Sequence, residues 1–392
     1  MKSTDWHSLP LSDAIEIIGG GTPKTDNPNY WNGDIPWISV VDFSDGRKYI
    51  HDTEKKISQL GLQNSSTKIL HKGQIIISAR GTVGELAVLT KDMAFNQTSY
   101  GLNAKSVTCN EFLYYLLLFS MRQIRKKTHG SIFDTITRET FKQIHVNLPP
   151  LPEQRAIAEV LSSLDDKIEL NRRMNRTLEQ LTQAIYKHMF IDNPEREGWV
   201  KGVLGDDFNI TMGQSPPGTT YNETGEGLPF FQGRTDFGFR YPVNRVFCTA
   251  PTRYAKAGDT LVSVRAPVGD INMAFVDCAI GRGVASIRHK TGAESFTYYT
   301  LQTFRSTFDN FEMEGTVFGS INKESFHNLE FIQPPENAVD QFESLCNPFD
   351  QLILLNTREN LTLTELRDSL LPKLMSGQVK VCIAATSIEK DN

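Results

Sequence analysis

Residues 148–190 read LPPLPEQRAIAEVLSSLDDKIELNRRMNRTLEQLTQAIYKHMF, and this stretch decides the architecture. Pro149, Pro150 and Pro152 close whatever precedes them, because proline is tolerated in a helix only near its first turn. Residues 153–190 then contain neither Gly nor Pro. Ile157, Val160, Leu161, Leu164, Ile168, Met174, Leu178, Leu181, Ile185 and Met189 recur at mostly three- and four-residue steps, the period of a helix with one apolar face. About 38 helical residues would reach roughly 57 Å at 1.5 Å per residue. The plainer alternative is an amphipathic helix on a domain surface. So long and narrow a stripe favours pairing with a second helix.

That second helix is in the same chain. When the chain is laid over itself at one constant offset, Gly73, Arg80, Gly84, Gly130, Phe133, Ile136, Phe141, Pro149, Pro150, Asp165, Leu178 and Leu181 meet Gly258, Arg265, Gly269, Gly315, Phe318, Ile321, Phe326, Pro334, Pro335, Asp350, Leu363 and Leu366. Upstream the offset is slightly longer, so that Trp6, Pro23 and Pro36 meet Trp199, Pro216 and Pro229. One indel between Pro36 and Gly73 accounts for the difference. The helix copy runs over Phe342, Leu345, Phe349, Leu352, Asn356, Leu363, Leu366 and Leu370. Pro348 lies inside it and predicts a kink or a late start.

Each copy therefore has a first part of short β-rich segments and a second part that is one long helix. Strands are expected at 35–41, 74–79, 86–89, 260–264 and 272–276, where Val, Ile and Phe alternate with flanking Gly, Pro, Asn and Asp. Shorter helices are expected at 111–126 and 295–308. The fold class is α+β: two β-rich domains related by a pseudo-twofold axis, joined by two long helices as an antiparallel coiled coil. The expected boundaries are 1–150, a helical region 151–195, 196–335, a second helical region 336–380, and a tail 381–392. Leu161, Leu164, Ile168, Leu178, Leu181 and Ile185 are the expected seam of the first helix. Leu345, Phe349, Leu352, Leu363, Leu366 and Leu370 are that of the second. A duplicated molecule suits a target that itself has two halves.

The net charge of −5 taken alone argues against a nucleic-acid binder. The charge is uneven, however: residues 1–150 carry 17 Lys and Arg against 14 Asp and Glu, while 334–392 carry 5 against 9. Five cysteines lie scattered without a Cys-x-x-Cys pair, which predicts reduced thiols and no zinc site. The longest apolar run, 112–119, is too short to cross a bilayer, and polar opening residues suggest no secretory signal. A cytoplasmic protein without membrane contact is expected.

Catalytic motifs are weak. Asn27-Pro28-Asn29-Tyr30 resembles the Asn-Pro-Pro-Tyr tetrapeptide of amino-methyltransferases, but its third residue differs and no glycine-rich cofactor loop precedes it. Gly19-Gly20-Gly21 reads as a turn before Thr22-Pro23 rather than a phosphate cradle. No catalytic or metal-ligating set emerges. The repeated loops are more telling. Ser78-Ala79-Arg80-Gly81-Thr82-Val83-Gly84 matches Ser263-Val264-Arg265-Ala266-Pro267-Val268-Gly269, each placing an arginine between a strand and a tight turn. Such an arginine serves either to bind turn carbonyls or to reach a guanine edge or a phosphate. Gln97 aligns with Arg282, a difference suited to two readers of different bases. Basic residues also stand where the copies diverge: Lys24, Arg47 and Lys48 in the first, Arg234 and Arg240 in the second. These nine, from Lys24 to Arg282, are the candidate DNA contacts.

At this point the chain resembles the specificity subunits of type I restriction–modification systems. The likeness rests on the Arg80 to Gly84 loop, on Leu148-Pro149-Pro150-Leu151-Pro152-Glu153-Gln154-Arg155 leading into the helix, and on the ending from Leu366 to Gly377. It implies two target-recognition domains, each reading half of a gapped double-stranded DNA sequence, with the coiled coil as spacer. It further implies a chain that does no chemistry and binds no cofactor. Two methyltransferase subunits would modify adenine with S-adenosylmethionine, and motor–nuclease subunits would use ATP and Mg. The second junction, Pro334-Pro335-Glu336-Asn337-Ala338, lacks the full Pro-Glu-Gln signature. A stand-alone DNA methyltransferase or nuclease, and a coiled-coil scaffold without DNA specificity, are the competing readings.

Overall fold

Ile75, Ile76 and Ile77 are β-branched and wholly buried, which places their strand, Ile75–Ser78, in the interior of a sheet. The computed structural model describes residues 6–44, 46–127, 135–313 and 319–381. The chain divides into two units: residues 1–170 with 359–392, and residues 171–358. The matching stretches Gly130 to Phe133 and Gly315 to Phe318, and residues 382–392, lie outside the described residues.

In the first unit, a five-stranded sheet runs in the order Ile15–Gly19, Ser99–Ala104, Ile75–Ser78, Leu86–Leu89, Tyr49–Ile50. A four-stranded sheet follows the order Lys55–Ile57, Trp31–Ile38, Met93–Phe95, Ile69–Leu70. In the second unit a four-stranded sheet holds Phe208–Met212, Val284–His289, Thr260–Ser263 and Ile271–Met273. Its companion is five-stranded and includes Leu228–Phe231 and Cys278–Ile280. Each unit is closed by a separate antiparallel pair, His7–Pro10 with His145–Leu148 and Val200–Val203 with Glu330–Gln333. Chain arrival and departure are thus adjacent, and the departing strand leads directly into a long helix.

The expected strand at 272–276 is displaced to Ile271–Met273. The helix expected at 295–308 is two helices, Glu294–Gln302 and Arg305–Met313. Thr303 interrupts it: its Oγ1 donates to the Thr300 carbonyl at 2.7 Å, while the Phe304 N–H turns back to Leu301. Phe304 thereby joins the aromatic core built on Phe296, Phe308 and Phe326.

The first long helix is Leu151–Tyr186, continued by a π-helical turn at Lys187–Ile191. Its start is anchored by Gln154. This buried side chain accepts from Thr108 Oγ1 at 2.8 Å and donates to the carbonyls of Pro149 and Val107 at 2.9 and 3.0 Å. That is the physical content of the Pro-Glu-Gln signature. At the second junction a buried Val339 stands at the corresponding place, and the helix still begins at Glu336. It runs unbroken to Met375, so the late start that Pro348 suggested does not occur.

Within each unit the two helical segments are antiparallel. In the first, Asp165 accepts from Arg367 at 2.6 Å, and Leu161 shares a core with Leu371. In the second, Asn356 donates to Asn175 at 2.8 Å, and the rings of Tyr186 and Phe342 are 5.5 Å apart. The seam differs from the expected leucine stripe. Leu161 and Ile168 are buried, and Leu164, Leu178, Ile185, Phe349, Leu363 and Leu370 are half-buried. Leu181, Leu345, Leu352 and Leu366, however, are 45, 48, 38 and 44% exposed. Asp165, Glu169, Asn175, Glu179, Thr182, Asp350 and Asn356 are buried in their stead. A buried polar face is stable when its groups find partners. Here cations, amides and tyrosine hydroxyls from elsewhere in the chain supply most of them, and Thr182 donates to the Leu178 carbonyl of its own helix.

Candidate nucleic-acid interface

Three loops meet at one edge of the first unit. The Gly21 N–H donates to the Phe95 carbonyl at 3.0 Å, and Trp37 Nε1 donates to Gly21 O at 3.0 Å. A Cβ on Gly20 would stand 2.1 Å from the Asn96 carbonyl, and one on Gly21 would stand 2.4 Å from the Thr67 nitrogen. Gly20 and Gly21 are therefore close-packing residues, while Gly19 ends the strand Ile15–Gly19 with open space around it, so the triplet is not the expected turn. Ala79 and Arg80 both donate backbone N–H groups to Thr98 O, at 2.8 and 3.2 Å. Thr22 Oγ1 bonds Gln97 Oε1. Lys24, Arg80 and Gln97 are thus carried on neighbouring, exposed loops.

The second unit repeats the arrangement. Arg282 N–H donates to Ser215 Oγ at 3.3 Å, Gly213 N–H to Val284 O at 2.9 Å, and Val264 N–H to Gly283 O at 2.9 Å. The arginine loops have one internal design. Ser78 Oγ accepts from the Glu85 N–H at 2.8 Å and donates to Thr82 O; Ser263 Oγ accepts from Asp270 at 2.9 Å and donates to Pro267 O at 2.8 Å. Gly84 and Gly269 close the loops at φ of 83° and 86°, a region that favours glycine.

The loop arginines are free. The side chains of Lys24, Arg80, Arg265 and Arg282 are exposed and make no hydrogen bond or ion pair among the described residues. The alternative in which Arg80 and Arg265 bind turn carbonyls is not what the structure shows; the serines fill that role. An exposed guanidinium without a protein partner is available to an anion or a base edge.

Other candidates lie elsewhere. Arg234 is exposed but engaged with Asp270, which Arg305 also holds at 2.9 Å. Burial pushes the Asp270 carboxyl up, but the hydrogen bonds from Arg305 and Arg234 outweigh it and hold the group below its ordinary value. Arg47 is half-buried and has a partner of its own. Lys48 and Arg240 leave the interface altogether, at 8 and 1% exposure. Lys48 Nζ donates to Tyr115 Oη at 3.0 Å and to Ser162 Oγ at 3.1 Å. Arg240 Nη2 donates to Asp350 Oδ1 at 2.9 Å, and its Nε is 3.3 Å from Glu179 Oε2. Both face the long helices, so their assignment as DNA contacts is corrected: their charges are taken up by buried carboxylates and hydroxyls.

One further cation belongs near the arginine loop. The Ile136 N–H donates to Ala79 O at 2.9 Å, and Arg138, two positions on, donates to Ile17 O at 3.3 Å. Its counterpart in the repeat, Lys323, follows Ile321, whose N–H donates to Val264 O at 3.1 Å. The repeat itself was the signal that could have found this pair.

Residues 3–180 match the family described as type I restriction modification DNA specificity domain. Over 96% of its length the chain is 26% identical to the type I restriction enzyme MjaIX specificity subunit of Methanocaldococcus jannaschii, covering 94% of that protein. It is 23% identical to the HindI specificity subunit of Haemophilus influenzae, again over 96% of this chain and all of that one. The crystal structure of a type I restriction-modification S subunit from M. genitalium superposes over 95% of this chain and 97% of its own, with a TM-score of 0.59 at 16% identity, a likeness in fold.

Proposed function

We propose that the chain, similar over nearly its whole length to type I restriction enzyme specificity subunits, reads a two-part, gapped double-stranded DNA sequence on behalf of catalytic partner subunits. The observation that carries this reading is the duplicated, serine-stapled loop with a free arginine, Arg80 in one unit and Arg265 in the other. Around these loops the two copies differ, Gln97 against Arg282, as readers of two different half-sites should.

The chain supplies the address and no catalysis. Two methyltransferase subunits would dock along the helices, where Leu170, Leu181, Leu345, Leu352, Leu355, Leu361 and Leu366 are exposed on surfaces that a monomer in water would ordinarily cover. Motor–nuclease subunits would complete a restricting complex. S-adenosylmethionine, ATP and Mg would be held by these partners. Two readers on one duplex face dock about one helical turn apart. The target would then be two unequal blocks of roughly 3–5 base pairs across a gap of about 5–8. Four residues inserted into both long helices add about 6 Å and should lengthen the gap while leaving the half-sites as they were.

The deciding experiment is modification-sensitive single-molecule sequencing of DNA from cells expressing the neighbouring methyltransferase gene, with and without this chain. Adenine methylation at one gapped motif, lost without the chain, is the expected result. Methylation that persists unchanged would remove the specificity role and favour a scaffold.

A further inference from the structure

Each unit holds a buried cation of its β-rich domain against the helix that the domain adjoins, and the parts correspond. Tyr114-Tyr115 matches Tyr298-Tyr299 and Asp165 matches Asp350 at nearly the same offset, and Lys48-Tyr49 matches Arg240-Tyr241 at close to the longer offset that holds upstream of the indel. The backbone confirms the correspondence. Val88 N–H donates to Lys48 O at 2.7 Å, and Met273 N–H, at the repeat position of Val88, donates to Arg240 O at 2.8 Å. The tyrosine pairs have matching edge-on geometry, with centroids 5.1 and 5.2 Å apart.

The two constellations differ in wiring. In the first unit Lys48 reaches Asp165 through Tyr115, whose Oη donates to Asp165 Oδ2 at 2.6 Å, and Arg367 of the second helix takes the other carboxylate oxygen. Tyr49, Tyr114 and Ser162 complete the surroundings of Lys48. In the second unit Arg240 pairs directly with Asp350 and with Glu179, lies 3.8 Å from the Tyr298 ring centre, and also bonds Tyr299 Oη. One lock is a lysine acting through a hydroxyl, and the other is an arginine clamped by two carboxylates.

We propose that Lys48 and Arg240 are positioning residues: each fixes the heading of its recognition domain on the long helices, and together they determine which gap length the subunit accepts. The inference rests on the proposed function. Hydrogen bonds to charged groups are directional and strong when buried, so they select one docking angle where apolar packing alone tolerates sliding. The relayed Lys48 lock is the looser of the two, so gap tolerance should be set chiefly by the first domain.

The test uses the full complex of this chain with its methyltransferase subunits, on duplexes carrying both half-sites at the native gap and at one base pair more or less. Lys48→Met should raise methylation at the altered gaps, relative to the native one, by about tenfold, the scale of one lost charge-assisted contact. Lys48→Arg should restore discrimination, and Tyr115→Phe should reproduce part of the Lys48→Met effect while keeping the ring. Discrimination against altered half-sites should stay at the wild-type level in all three. A Lys48→Met complex with unchanged gap discrimination, or with equal loss at both half-sites, overturns the proposal. Hydrogen exchange of the same complexes gives a second readout. Lys48→Met should speed exchange at residues 48–50 and 161–169 and not at 240–242. Unchanged exchange would overturn the lock whatever the methylation result. A wild-type complex that methylates no gapped motif would refute the proposed function alone, leaving the lock to be judged by exchange.

Discussion

Arg240 and Asp350, far apart in the chain, form a buried salt bridge at 2.9 Å that joins a β-rich domain to a helix. Its energetics follow from what each partner would lose. Among the described residues, Asp350 and Glu179 have no other cation within ion-pair distance. Arg240→Met should therefore destabilise the second unit by about 3–5 kcal/mol, the cost of leaving buried charge uncompensated. Lys48→Met should cost far less, about 1 kcal/mol, because Asp165 keeps Arg367 and because burial already pushes the Lys48 ammonium below its ordinary pKa. Urea unfolding of the two variants checks this, and equal losses would reject the asymmetry.

Asp270 sets an acid dependence. Its carboxyl is held below the ordinary value when folded, so its contribution to stability is complete above the unfolded carboxylate pKa and is lost as pH falls through the folded one. Asp270→Asn should lower the Tm at neutral pH, and the difference from wild type should close on acidification. A difference that is independent of pH would show that the contacts to Arg234 and Arg305 act sterically.

The free loop arginines should act one half at a time. Arg80→Ala should weaken binding through one half-site, and Arg265→Ala through the other, each by about 1–3 kcal/mol if the guanidinium takes a guanine edge. Binding to duplexes with either half scrambled separates the effects. A uniform loss with a shallower salt dependence would instead identify a phosphate contact.

Asn175 and Asn356 form an amide contact across the antiparallel helices of the second unit. Asn356→Leu leaves a buried amide short of a partner and should cost about 1–3 kcal/mol. Replacing both by Leu should recover most of that loss, since an apolar pair of similar size satisfies itself. A double-mutant cycle measures the coupling, and strictly additive losses would mean the contact carries none.

Much of this was legible in the residues. The long first helix announces itself by an unbroken run from Glu153 to Phe190 without Gly or Pro, and the arginine loops announce themselves by recurring. The polar seam was not legible. Leu181 and Leu345 satisfy the helical period as well as any core residue, yet they are exposed, and Glu179 and Asn356 are buried. Apolar periodicity locates a helix and its stripe, but a helix with partners on two sides has two buried faces, and only one is written in leucine. The basic residues of the divergent stretches misled for a related reason. Charge in a turn-rich segment reads as surface until an acidic partner arrives from far along the chain.

The sequence by itself therefore determined the duplication, the long helix after the double proline and the serine-glycine loops with their arginines, because each is a local or repeating pattern. Only the tertiary structure decided which cations face solvent and which are locked inside. That choice depends on Asp165, Asp350 and Glu179 meeting Lys48 and Arg240 from distant parts of the chain. The energy of a buried charge is set by the partners around it, not by its neighbours in sequence.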